Sequence, residues 1–189
     1  FLCCTFVNAM LRRRRWKEKM KLRSHIFALM LVFSVVAYVQ ADTINYGDFA
    51  GDTVTYLDVT ESSLEELPLY GMPEIVGNNL NMPGTGFASE SKDGQVDFLD
   101  GRLTFMIEAD PGTTLSQIVI EEFGAFFTFG EGSIANVSGV AFVQTLEGDI
   151  VSGTFSQGFN GSAFPQSGDW FNTLTITFPE TTKITVTLD

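Results

Sequence analysis

Carboxylates are the residues this chain supplies most freely for chemistry. From Asp42 to Asp189 it holds 22 Asp and Glu against three cations, Lys92, Arg102 and Lys183. Three close pairs, Glu108 with Asp110, Glu121 with Glu122, and Asp97 with Asp100, have the residue types of glycoside cleavage, which sets one protonated and one ionised carboxyl across the sugar bond. A chain so acidic brings some pair together by composition alone. Glu121 and Glu122 are neighbours on an expected strand, where successive side chains point to opposite faces, so they cannot share a substrate. The expectation is that the protein is not an enzyme, because an activity has to be argued from a site.

The same side chains could serve calcium, a hard ion that takes oxygen ligands from loops. Asp93, Asp97 and Asp100 gather around two Asp-Gly turns, and Asp48 and Asp52 flank a glycine turn nearer the start. Their spacing is not that of the helix-loop-helix calcium motif. Aspartate at such places also simply makes turns. No cofactor is expected, with calcium the one ion these loops suit. Cys3, Cys4 and the single histidine, His25, all precede Asp42. The chain from Asp42 onward therefore lacks disulfides, thiol nucleophiles, histidine-based triads and the usual zinc and copper ligands. Nucleic acid is excluded as a partner, since neutralising phosphates needs cations.

A second candidate site is aromatic. Phe159, Phe164, Trp170 and Phe171 fall in or beside a glycine-rich stretch, with Asn160, Gln166 and Asp169 as polar partners. Rings that stack on sugar faces, with amides bonding the hydroxyls, make a carbohydrate-binding surface. The competing role for such rings is to cap the open end of a β-sandwich. Asn136-Val137-Ser138 and Asn160-Gly161-Ser162 match the N-glycosylation pattern, which acts only in a glycosylating host.

The elements that must position these residues begin after a targeting segment. Residues 20–41 carry Lys21 and Arg23, an apolar run from Ile26 to Val39, and small residues at Val39-Gln40-Ala41. That is the layout of a secretory signal peptide. The run is 14 residues long, short of the roughly 17 to 25 that a spanning helix needs. Residues 1–19 read as an upstream extension or a basic n-region, where Arg12 to Arg15 hold the leader's start in the cytoplasm. Residues 42–189 are then one exported domain, acidic, and held by its core.

That domain reads as short strands between Gly, Asp, Asn and Pro, with no helical period. Ile44 to Tyr46 and Thr53 to Thr60 open it, and Glu61 to Leu67 is the only helix-like piece. Pro68 to Phe87 reads as loops with one or two edge strands. A short run, Gln95 to Leu99, lies between the two Asp-Gly turns. Leu103, Phe105 and Ile107 alternate with polar neighbours, as a half-buried strand does. Leu115 to Phe123 and Ala125 to Phe129 continue, with Gly124 as a bulge or bend. Val137 to Leu146 and Ile150 to Gln157 come next, then a structureless stretch over 158–168. Leu174 to Phe178 and Ile184 to Leu188, each apolar on one side and threonine on the other, predict a closing antiparallel hairpin. The sum is an all-β, antiparallel, jelly-roll-like β-sandwich of about nine to ten strands, with 14 phenylalanines to fill its core.

Three segments carry a resemblance. Tyr46 to Glu61 (YGDFAGDTVTYLDVTE), Pro68 to Pro73 (PLYGMP) and Asp100 to Gly112 (DGRLTFMIEADPG) are similar to segments of secreted bacterial, planctomycete-type proteins of the PEP-CTERM sorting group. The resemblance implies a β-rich cell-surface or extracellular-matrix protein with a structural or adhesive role. Pro179-Glu180 is followed by Thr181 and lies between two strands, so it is not the sorting signal. Carbohydrate-binding module is the alternative, and a carboxylate-dependent polysaccharide enzyme a further one. Extracellular polysaccharide or other surface proteins are the expected partners, with no membrane once the leader is removed unless an anchor follows Asp189.

Overall fold

The computed structural model describes residues 41–65, 68–92 and 95–189, and residues 41–189 form one compact unit. The upstream extension and the signal peptide fall, up to residue 40, outside the described residues, as does Asp93 of the calcium trio.

Among the described residues ten strands, paired antiparallel, make up the fold: β1 (Asp42–Ala50), β2 (Val54–Ser63), β3 (Glu74–Val76), β4 (Asn79–Asn81), β5 (Gly101–Ala109), β6 (Leu115–Thr128), β7 (Ile134–Thr145), β8 (Ile150–Asn160), β9 (Gln166–Thr181) and β10 (Lys183–Leu188). The expected all-β, antiparallel class and strand number are those observed. Six strands form one sheet in the order β1-β2-β5-β10-β7-β8. Across its inner face lies a long two-stranded ribbon, β6-β9, and β3-β4 is a separate hairpin. The layers are unequal, six strands against two.

Period-two alternation builds the core. Val54, Tyr56 and Val59 of β2, Leu103, Phe105 and Ile107 of β5, Ala141 and Val143 of β7 and Ile184 and Val186 of β10 turn inward together with Ile176 and Phe178 of β9. Ile118 and Ile120 of β6 and Leu174 of β9 pack against that cluster, so the ribbon is the second layer that a one-sided apolar sheet requires. Each large side chain fully buried here contributes about 1.5–3 kcal/mol.

The stretches Tyr46 to Glu61 and Pro68 to Pro73 are tied into this frame by side-chain hydrogen bonds. Tyr46 Oη donates to Glu61 Oε2 at 2.5 Å, and Asp58 N donates to Asp48 Oδ1 at 2.9 Å. The latter bond fixes a double irregularity: Asp58 has φ of 52° at a register shift of β2, facing the shifted stretch of β1 around Gly47. Glu61 has no exposed surface, and its Oε1 accepts from the backbone N–H groups of Leu69 and Tyr70, pinning the PLYGMP segment under β2.

Several sequence expectations are corrected. Glu61 to Ser63 do not start a helix but complete β2, because Glu61 spends its carboxylate on inward hydrogen bonds. Gln95 to Leu99 form no strand. Gly124 is no bulge: β6 pairs with β9 without a break from Gln117 to Thr128, and the shift lies at Leu115/Gln117. The expected structureless stretch shrinks, since β8 runs to Asn160 and β9 starts at Gln166. The closing hairpin does not form. β9 pairs with β6 in the ribbon, whereas β10 crosses to the large sheet between β5 and β7. Both strands alternate as expected, but alternation fixes which face is buried and not which strand is the neighbour.

Candidate binding face

The ribbon's outer face carries a cluster of exposed side chains, and its register determines which ones. Along β6, even-numbered residues from Ile118 to Phe126 turn toward the large sheet and odd-numbered ones toward solvent. On β9, Trp170, Leu174, Ile176 and Phe178 point in and Phe171, Thr173, Thr175 and Thr177 point out. The outer face is therefore a ladder of direct pairs: Gln117 with Thr177, Val119 with Thr175, Glu121 with Thr173, Phe123 with Phe171, Ala125 with Asp169, Phe127 with Ser167.

One half of that ladder is aromatic. Phe123, Phe127 and Phe171 are 77%, 67% and 60% exposed, and Val119 extends the apolar row at 51%. Directly paired rings such as Phe123 and Phe171 stand about 4.5–5.5 Å apart at Cβ, close enough to form one platform. The other half carries hydroxyls, Thr173, Thr175 and Thr177. Two carboxylates border the central ring pair, Glu121 two residues before Phe123 and Asp169 two residues before Phe171. Phe123, Phe127 and Phe171 thus form an exposed aromatic cluster bordered by polar side chains.

The sequence candidates divide across this geometry. Phe171 lies on the platform. Trp170 lies on the opposite face of β9, half-buried over Gly124, and Phe155 stacks beside it with ring centroids 6.5 Å apart. Phe159 is also internal, stacked on Phe126 at 3.9 Å and 11° between ring planes. Trp170 and Phe159 close the distal end of the sandwich, which is the capping role weighed against a binding one. Phe164 is 78% exposed in the β8–β9 turn, where its N–H and carbonyl bond the Ser162 hydroxyl. Asn160 is exposed at the end of β8, paired with Ile134. The five candidates do not form one surface. Phe123 and Phe127, the platform's other rings, escape a reading of the sequence because their run is apolar at both parities.

The carboxylate pairs fare as their chemistry dictates. Glu108 is engaged by Lys183 Nζ at 3.0 Å, and Asp110 sits in a turn whose carbonyl accepts from Thr113. Glu121 faces solvent while Glu122 faces inward, and burial raises the Glu122 carboxyl to about 6. Asp97 Oδ2 accepts from Glu90 N at 2.7 Å, and the Asp100 carbonyl accepts from Ser63 Oγ at 2.6 Å. The Asp48 carboxylate is engaged by the Asp58 N–H. Among the described residues, no three His, Cys, Asp or Glu side chains gather closely enough to share a metal ion. Burial and the neighbouring carboxylates of Glu122, Glu61, Asp189 and Asp100 raise the Tyr70 phenol. Burial, then the Glu61 hydrogen bond and charge, raise that of Tyr46.

All three cations of residues 42–189 are spoken for. Lys92 pairs with Glu90 at 2.8 Å, Arg102 with Asp189 at 2.9 Å, and Lys183 with Glu108. None stands on the ribbon. Among the described residues, no helix is long and apolar enough to cross a membrane. Comparison with protein-family models, with curated proteins and with solved structures returns no match.

Proposed function

We propose that this is a secreted, non-enzymatic β-sandwich protein with a structural or adhesive role at the cell surface or in the extracellular matrix, exported by residues 20–41. The resemblance to the PEP-CTERM sorting group supports the setting, and the ribbon supplies the contact surface. The observation that carries the reading is the row of Phe123, Phe127 and Phe171 standing outward on β6 and β9. A soluble monomer rarely leaves such rings together without a partner for them. The non-enzymatic reading is supported by the dispersal of the carboxylates: the two adjacent ones face opposite sides and Glu108 is ion-paired.

Two measurements test this. N-terminal sequencing of protein recovered outside the cell should find a start near Asp42; recovery only from the cytoplasm contradicts export. Beads coated with the full chain should adhere to matrix material from the producing cells, and a Phe123→Ser, Phe127→Ser, Phe171→Ser variant should adhere at background level. Equal adhesion by both proteins sinks the ribbon as the contact surface.

The alternative, a carbohydrate-binding module, is favoured by one specific feature, the side-by-side Phe123 and Phe171 pair. In that case adhesion is adhesion to a glycan.

A further inference from the structure

The dimensions and charge of the ribbon's outer face narrow its occupant. From Gln117 to Phe127 the ladder is roughly 34 Å long at a strand rise of about 3.4 Å per residue, and two strands are about 10 Å wide with their side chains. The face is thus on the order of 300–400 Å². A stable protein partner buries about 800 Å² on each side and anchors itself in desolvated pockets. A two-stranded ribbon of this size falls well short of that area. A single extended polymer strand, by contrast, needs a long narrow track with rings to stack on and oxygens at its edges. Here the rings are Phe123, Phe127 and Phe171, and the oxygens belong to Thr173, Thr175, Glu121 and Asp169.

Charge selects among polymers. Glu121 and Asp169 border the central ring pair at diagonal corners, and among the described residues no cation lies on the face because Lys92, Arg102 and Lys183 are all paired elsewhere. The domain as a whole carries 22 acids against three bases, so it repels anionic polymers and a second copy of itself alike. An ammonium group finds both an aromatic face and a carboxylate beside it. We infer that the outer face of the β6–β9 ribbon binds one strand of an amino-bearing polysaccharide, stacking its rings on Phe123 and Phe171 and pairing its ammonium groups with Glu121 and Asp169. This inference rests on the adhesive reading above and names the chemistry of what is held.

The test is titration calorimetry of the full chain with glucosamine oligomers, glucose oligomers of the same length and linkage, and oligomers of a uronic acid. Three proteins are compared: the unchanged chain, Phe123→Ala with Phe171→Ala, and Glu121→Gln with Asp169→Asn. All four side chains face solvent, so the thermal midpoints should stay together and folding does not confuse the result. The glucosamine oligomer should bind at least tenfold tighter than the glucose oligomer, and the uronic oligomer should not bind. The phenylalanine variant keeps every charge and should lose at least tenfold in affinity. The carboxamide variant should lose the preference for the amine. If the phenylalanine variant binds as tightly as the unchanged chain, the attraction is only that of an acidic protein for a polycation, and the inference is overturned. If glucose oligomers bind as well as glucosamine, the amine specificity is wrong while the ribbon remains a glycan surface. If no oligomer binds but bead adhesion still requires the three phenylalanines, the occupant is a protein and the glycan assignment falls. If that adhesion fails as well, the adhesive reading falls with it.

Discussion

Gly124 on β6 stands directly across from Trp170 on β9, and the indole occupies the space a side chain would need. A Cβ at Gly124 would lie 2.7 Å from Trp170 Nε1 and 3.0 Å from its Cζ2. The glycine thus lets the indole lie flat across the inner face of the ribbon, beside Phe155. A Cβ there would force Trp170 to shift, and with it the Phe155 ring stacked beside it at the aromatic end of the sandwich. Gly124→Ala should therefore destabilise the fold by about 1–3 kcal/mol, the usual range for overpacking. The check is a urea titration followed by tryptophan emission. A lower midpoint with an altered native spectrum is expected, and an unchanged midpoint and spectrum would show that the indole is not held where it lies.

Glu61 should be among the most damaging residues to replace. It is fully buried and accepts from Tyr46 Oη and from the N–H groups of Leu69 and Tyr70. Hydrogen bonds to a charged acceptor contribute about 1.5–3 kcal/mol each, and their loss also strands buried donors. Glu61→Ala should cost about 3 kcal/mol or more, and Tyr46→Phe, which removes one of the three bonds, about 1–2 kcal/mol. Denaturant midpoints of the two variants measure this. Equal and small losses would mean that the PLYGMP segment is held by the packing of Leu69 alone.

Legibility in the sequence divides along a physical line. Alternation at Leu103, Phe105 and Ile107 identifies β5 and its buried face, because one parity is apolar and the other polar. In Ile118 to Phe127 both parities are apolar, so the sequence does not say that Ile118, Ile120 and Phe126 turn inward while Val119, Phe123 and Phe127 turn outward. The only local sign is Glu121 against Glu122, and it misleads, since one carboxylate is half-buried. Strand partners are likewise set by contacts distant in sequence. Only Thr182 separates β9 from β10, yet the two strands belong to different layers, and Thr182 serves as the crossing, its carbonyl accepting from Ala109 N at 2.9 Å. Gly124 reads as a bulge or bend because its reason for being glycine, Trp170, lies 46 positions further on.

Thr128 closes β6 with a buried hydroxyl that has no hydrogen-bond partner among the described residues. A hydroxyl so placed costs about 1–3 kcal/mol relative to one that is satisfied. Thr128→Val keeps the branched shape and removes the unsatisfied group, so it should raise stability by about 1 kcal/mol. Thr128→Ser keeps the hydroxyl and loses a methyl, and should lower it. Calorimetric melting of both variants decides the matter, and a fall in the Val variant would mean that the hydroxyl has a partner in solution, an ordered water being the simplest.

Glu122 gives the domain a dependence on pH with a definite sign. Burial on the inner face of β6 raises its carboxyl from 4.5 to about 6, so between those values the folded chain holds a proton that the unfolded chain has released. Stability falls with rising pH wherever the folded state binds more protons than the unfolded one. The contribution of Glu122 is thus fully present below about pH 4.5 and is lost as the pH climbs through about 6. A shift of this size corresponds to about 2 kcal/mol at most, reduced to about 1 kcal/mol by solvent reaching a side chain that is only partly buried. Glu122→Gln removes the titration and keeps the shape. The variant should match the parent protein near pH 4, gain on it through pH 5 and 6, and lead by about 1 kcal/mol at about pH 7.5. The other carboxylates titrate in both proteins and cancel in the difference. Urea midpoints taken at half-unit steps across this range provide the comparison, and a difference that does not vary with pH would place the Glu122 carboxylate in water rather than between the layers.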